Sequence, residues 1–195
     1  MRIEFSRLTP ETVSDFLYFF DNDAFPDGDE WANCYCLEGH LAGEKNIFDP
    51  DVRRDHAKRL VLEGKLTGYL LRDDDNNNGR IIGWVKAGDK CDFVDPDYMY
   101  GIFSGSQEYG EIKSLYCIDL IPEYQRKGLA RQILQKVIDD AAEEGYKYLE
   151  VYPWADRDEK RNYRGHAGMY EDFGFELTRK ADDYLVMRKD LTAGA

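Results

Sequence analysis

Apolar and polar positions change period several times along this chain, and each change predicts an element. Residues 2–6 alternate and read as a first strand. Thr9-Pro10 then supplies a cap residue followed by proline in the first helical turn. Val13, Phe16, Leu17 and Phe20 follow at helical spacing, up to the turn-forming Asp21-Asn22-Asp23. A second helix is expected from Pro50 to Glu63, closed by Gly64. Leu66–Arg72 and Arg80–Ala87 read as two strands. The turn-rich Asp73–Gly79 between them predicts a hairpin. Residues 24–48 and 88–110 show no clear period, and the second stretch reads as a loop insertion beside a site.

The most ordered pattern follows. A strand over 113–121, a helix over 126–144 and a strand over 148–152 form a β-α-β unit with parallel strands. On the helix, Leu129, Ile133, Leu134, Val137, Ile138, Ala141 and Ala142 fall on one stripe. A short helix over His166–Phe173 and strands over Phe175–Arg179 and Tyr184–Lys189 close the chain. The expected class is α/β (α+β), a central mixed twisted sheet flanked by helices. Residues 1–195 read as a single domain with its core over about 2–190.

Composition adds exclusions. The 195 residues are 43% hydrophobic and 33% charged, enough apolar material for a packed core. A formal net charge of −13 argues against nucleic acid or an anionic membrane as partner, and is compatible with a cationic amine substrate. No run approaches the roughly 20 apolar residues of a membrane span, and the N-terminus carries no signal-peptide pattern. Four cysteines are too few for a disulfide scaffold at this length, so a reducing cytoplasm is the expected compartment. A homodimer is compatible with all of this.

The chemistry gathers in the turn Gln125-Arg126-Lys127-Gly128-Leu129-Ala130. Such a turn aims backbone N–H groups at one point, which suits an anion. The charges of the following helix run against its macrodipole. Arg126, Lys127 and Arg131 stand at its start and Asp139, Asp140, Glu143 and Glu144 at its end, which costs roughly 0.3–1 kcal/mol per exposed charge. A polyanion bound at the start explains that order; a merely solvated face explains it about equally well. A P-loop is excluded by the missing GxxxxGK[ST], and a Rossmann fingerprint by the missing glycines.

Leu120-Ile121-Pro122-Glu123-Tyr124-Gln125-Arg126-Lys127-Gly128-Leu129-Ala130 resembles motif A of the GNAT superfamily of N-acetyltransferases, commonly written (Q/R)-x-x-G-x-(G/A). Met169-Tyr170-Glu171-Asp172-Phe173-Gly174-Phe175 resembles its motif B. Trp31…Cys34-x-Cys36 and Lys113-Ser114…Cys117 look like an uncharacterised bacterial subgroup of that superfamily. The resemblance implies a GNAT acyltransferase fold in which two parallel strands splay to admit acetyl-CoA as co-substrate. It implies that the backbone of Ile118, Asp119 and Leu120 pairs with the pantetheine amides. The turn residues Gln125, Arg126, Lys127, Gly128, Leu129, Ala130 and Arg131 would hold the pyrophosphate. Tyr170 is implied as the general acid for the departing thiolate, a role that a phenol with a pKa near 10 suits.

A protonated amine has no lone pair, so transfer to a small-molecule or peptide amine also needs a base. Glu111, Asp119 and Glu150 are candidates by position, with Glu38 in the unreadable segment. Strand alternation puts Leu115, Cys117 and Asp119 on one face and Tyr116, Ile118 and Leu120 on the other. It does not choose among the carboxylates. A non-catalytic acyl-CoA-binding or regulatory module, or an enzyme using another acyl donor, are the competing readings. Cys34-x-Cys36-x-x-x-His40 has atoms for part of a zinc site. Cys91 and Cys117 stand alone in sequence, so buried thiols packing as small hydrophobes are favoured and no metal is expected. His166 stands four residues before Tyr170 and is expected to share its face. The cluster Lys160-Arg161-Asn162-Tyr163-Arg164 suits the CoA 3′-phosphate or a wet loop. Trp31, Tyr35, Trp84 and Tyr98 are aromatics for an acceptor pocket or for the core.

Overall fold

The computed structural model describes residues 2–25, 29, 31–41, 45–46, 48–75, 79–93, 110–155, 163–181 and 183–192. Seven strands form one sheet in the order β1-β2-β3-β4-β5-β7-β6. They are β1 (Ile3–Arg7), β2 (Gly68–Asp73), β3 (Ile81–Asp89), β4 (Ile112–Leu120), β5 (Tyr148–Val151), β6 (Glu176–Ala181) and β7 (Tyr184–Asp190). Only β4 and β5 run parallel; every other neighbouring pair is antiparallel. Among the described residues the helices are α1 (Val13–Asn22), α2 (Pro50–Leu62), α3 (Leu129–Glu143) and α4 (Ala167–Asp172). No helix among the described residues is long and apolar enough to cross a membrane.

Local sequence explains most of these bounds. Thr9 opens a 3-10 turn over Pro10–Thr12 that leads into α1, with the Thr9 N–H donating to Thr12 Oγ1 at 2.9 Å. The Asp49 carboxylate caps α2 by accepting from the Asp51 and Val52 N–H groups, and Pro50 sets the first turn. The helix expected from 126 starts instead at Leu129. Gly128 is its N-cap with φ +80°, and Arg126 is also left-handed at φ +56°, so the chain turns twice before it can coil. The strand expected to stop at Ala87 runs on to Asp89 and a 3-10 turn over Lys90–Phe93, while 94–109, with Tyr98, lies outside the described residues.

The two faces of the sheet are told apart by register. Val85 pairs with Ile118 and Tyr69 with Val85, and Tyr69 reaches Asp140 of α3 at 2.7 Å, so this face is covered by α3. Trp84 pairs with Asp119 and Lys86 with Cys117. Trp84 stacks edge-on against Phe16 of α1 with centroids 4.9 Å apart, and Lys86 Nζ donates to the carbonyls of Cys36 and Glu38. That second face therefore lies under α1 and the 31–41 segment.

The unfavourable charge order of α3 has a tertiary answer. Asp140 accepts from Tyr69, Lys136 and Arg7, and Glu144 at the C-cap pairs with Lys113 and Arg7. The acidic end is neutralised by cations from β1, β4 and α3 itself, which one helix read alone does not reveal.

Candidate active site

The site begins at an irregularity in β4. The β3–β4 register slips between Lys86 and Ala87, so that Lys86 faces Cys117, Ala87 faces Leu115, and Tyr116 bulges between them. The bulge exchanges two residues between the faces that strict alternation assigned. Leu115 joins Ile118 and Leu120 on the α3 face, and Tyr116 joins Cys117 and Asp119 on the other. At the same point β4 leaves its parallel partner, because β5 pairs only with Ile112–Leu115. Gly83 lies against this stretch; a Cβ there would come within 2.7 Å of the Asp119 carbonyl oxygen. Glycine thus permits the close approach of β3 to β4 behind the site.

A pocket of about 580 Å³, including its open mouth, lies over the bulge. Its polar walls are Cys34, Cys36, Cys117, Asp119, Glu38 and Arg164, and its aromatic walls include Trp31, Tyr116 and Tyr163. Asp119 is 1% exposed, and its Oδ1 has no hydrogen-bond partner among the described residues. Burial pushes its carboxyl up to about 7, against a weak opposing pull from the Cys117 thiol at 3.4 Å. Glu38 sits at the wall paired to Arg164 at 2.7 Å, and the same guanidinium lies 4.0 Å from the Tyr116 ring centroid.

The other two candidate carboxylates do not reach this pocket. Glu111 lies at the start of β4, ion-paired with Lys147. Glu150 is 1% exposed and fully engaged by Lys90 at 2.6 Å, Arg188 at 2.8 Å and Tyr152 at 2.9 Å. Both are held in ion pairs.

Two residues expected to meet the donor are now engaged within the chain. The Ile118 N–H donates to the Tyr163 carbonyl at 2.8 Å, and the Tyr170 hydroxyl donates to the Arg164 carbonyl at 2.6 Å. Tyr170 is 1% exposed, and burial raises its pKa, so it keeps its proton. His166 is the exposed N-cap of α4 and does not share the buried face of Tyr170, contrary to the four-residue spacing. In the turn before α3, Gln125 Nε2 donates to the Leu120 carbonyl at 2.7 Å, and Arg131 pairs with Asp172 of α4 at 2.9 Å. A Cβ built on Gly128 meets nothing within 4 Å, so the turn faces open space. Of the basic cluster, Lys160, Arg161 and Asn162 lie outside the described residues, and Arg164 points into the pocket. Trp84 and Tyr35 belong to the core, while Trp31 lines the site.

The model of the acetyltransferase (GNAT) family matches residues 25–175, which contain the splayed strands, most of the pocket lining and both motifs. The chain belongs to the GNAT acetyltransferase family. It is 32% identical over 76 residues to the uncharacterized N-acetyltransferase YsnE of Bacillus subtilis, a stretch covering 39% of this chain and 46% of that protein. Among solved structures, the PaiA N-acetyltransferase of Thermoplasma acidophilum in complex with coenzyme A is similar with a TM-score of 0.55 and 14% identity. That match covers 97% of this chain and 99% of the other. yncA of Salmonella typhimurium, solved with its cofactor acetyl-CoA, is similar with a TM-score of 0.54 and 16% identity over 100% and 95% of the chains. At these identities the structural likeness speaks for the fold. This GNAT enzyme thus has the seven-stranded mixed sheet and parallel β4–β5 pair expected of it.

Sequence reasoning missed that Cys36, Tyr116 and Arg164 stand together around Asp119. Only the Cys34-x-Cys36 spacing hinted at them, because three separate segments supply the walls.

Proposed function

We propose that this GNAT enzyme moves the acetyl group of acetyl-CoA to a primary amine of a small molecule or peptide, with Asp119 as the base and Tyr170 as the acid. The observation that carries this reading is the place of Asp119. Of the three strand carboxylates it is the one that lines a pocket where β4 parts from β5, with an oxygen left without a partner.

The residues present fit the donor. The turn at Arg126–Gly128 is left-handed, basic and open, and leads into a 15-residue helix whose first N–H groups lack intrahelical acceptors. The edge of β4 beyond Leu115, which β5 no longer pairs, suits the pantetheine amides once Ile118 gives up its bond to Tyr163. Acetyl-CoA, when bound, supplies an acetyl thioester. Asp119 takes the ammonium proton so that the amine nitrogen gains its lone pair and attacks the acetyl carbon; the new C–N bond replaces the C–S bond. Tyr170 exchanges the Arg164 carbonyl for the departing sulfur and gives it the phenol proton, and the second proton that the amine nitrogen sheds on becoming an amide restores the phenol. Glu38 and the aromatic walls position the acceptor.

Thermal unfolding with and without CoA tests the donor site. At 100 times its Kd a ligand adds about 2.7 kcal/mol, which for a chain of this size raises Tm by roughly 5–10 °C. An unchanged Tm in millimolar CoA overturns the proposal. Tyr170→Phe should lower kcat by about 10²-fold, the low end for a positioned acid because a thiolate leaves readily. It should also cost about 1–3 kcal/mol of stability, since the Arg164 carbonyl is left buried without a donor. Unchanged kcat in steady-state assays of the folded variant removes Tyr170 from the mechanism.

A further inference from the structure

We propose that Cys36, Cys117 and Asp119 form a binding site for a thiophilic divalent cation of the zinc type, which occupies the same carboxylate that accepts the proton in acetyl transfer. The binding half stands by itself; the competition half rests on the reading of Asp119 given above.

Three observations carry the site. First, the two sulfurs and a carboxylate oxygen all lie within 4.8 Å of one another. Metal–ligand bonds of about 2.0–2.3 Å on a tetrahedron place donor atoms roughly 3.3–3.8 Å apart. Cys117 Sγ and Asp119 Oδ2 are already 3.4 Å apart, so a modest inward movement of Cys36 completes the set. Second, Asp119 is 99% buried, yet its Oδ1 accepts no hydrogen bond among the described residues. A buried acceptor left in that state is destabilising, and a cation removes the cost.

Third, the segment that delivers Cys36 is held in an unusual shape. Asn33, Tyr35 and Cys36 have φ of +66°, +45° and +52°. L-residues there are strained and persist only when their surroundings over-determine them. The surroundings do: Arg53 donates to the carbonyls of Asn33 and Cys34, Lys86 to those of Cys36 and Glu38, and the Tyr35 hydroxyl to Asp21. The strain and its clamps aim the Cys36 thiol at β4.

The donor set also selects the ion. Two sulfurs and one oxygen favour zinc-like cations over magnesium or calcium, which take oxygen ligands. Three protein donors leave a fourth position open to the pocket, where Cys34 stands. Lys86, fully buried beneath the 31–41 segment, interacts with Cys36 and Cys117 and offsets part of the charge of two thiolates. His40, the third member of the Cys34-x-Cys36-x-x-x-His40 spacing, is not among the donors. The partner that the sequence motif lacked is Cys117, from a strand 81 residues after Cys36.

The test uses the full chain, reduced and stripped by a chelator, titrated with Co2+. The expected result is one equivalent bound with an intense near-ultraviolet thiolate-to-cobalt band and the visible bands of a tetrahedral ion, both displaced by Zn2+. Cys36→Ser and Cys117→Ser should each weaken Co2+ binding at least tenfold and diminish the band, while Cys91→Ser leaves it intact. Absence of the band at one equivalent, or its survival in the Cys36→Ser/Cys117→Ser double variant, overturns the site. For the competition, acetylated product is followed by mass spectrometry with zinc and with chelator. One equivalent of Zn2+ should suppress product formation and the chelator restore it. Zinc that binds without suppressing product overturns the competition. A chelated protein that acetylates no amine while still giving the cobalt band overturns the functional reading and leaves the metal site standing.

Discussion

Asp119→Asn lowers kcat/KM for acetyl transfer by about 10²–10⁴-fold, the range lost when a positioned base is removed. Asparagine keeps the shape and burial of the side chain but cannot take the ammonium proton. The assay is run with chelator present, so that loss of a metal does not enter the comparison. CoA binding should persist, since the donor is held by β4 backbone and by the turn before α3, and a thermal shift with CoA checks that the variant remains folded and competent. The expected split is a large fall in turnover with a donor-induced shift close to wild type. Wild-type turnover in Asp119→Asn would move the base elsewhere, with Glu38 the next carboxylate on the pocket wall.

Glu150→Gln gives the opposite signature. Glu150 is 1% exposed, and its neighbour Lys90 is 3% exposed with its Nζ 2.6 Å away. Burial already lowers the Lys90 pKa, and Glu150 is the charge that opposes that shift. Removing one partner of such a buried pair leaves an uncompensated charge and costs about 3–5 kcal/mol. In a chain of this size that lowers Tm by roughly 6–20 °C. Calorimetry or denaturant unfolding reads the loss, and activity per folded molecule at low temperature should match wild type. A Tm within two or three degrees of wild type together with lost activity would make Glu150 a participant in the chemistry.

The contrast between these two carboxylates marks the limit of what strand position says. Both sit on central strands, and both are almost wholly buried. One is enclosed by two cations, from β7 and the Lys90 turn, and by the phenol of Tyr152 just after β5; the other faces a pocket with an unmatched oxygen. A side chain's partners come from distant segments, and pattern along one strand carries no information about them. The faces of β4 show the same limit in geometry. Alternation predicted the sides of Cys117, Ile118, Asp119 and Leu120 correctly, but a single inserted residue at Tyr116 exchanged the sides of Leu115 and Tyr116.

By itself the sequence determined the β-α-β unit, the order of the flanking elements and the acyltransferase family. The elements follow from local periodicity, capping residues and a glycine turn, which act over a few residues, and the family follows from the resemblance of Leu120–Ala130 and Met169–Phe175 to two GNAT motifs. The tertiary structure alone decided which carboxylate stands at the splay, how the acidic end of α3 is neutralised, and that Cys36 meets Cys117 beside Asp119. Each of these depends on contacts between segments far apart in the chain, and short-range pattern is silent about contacts that only packing creates.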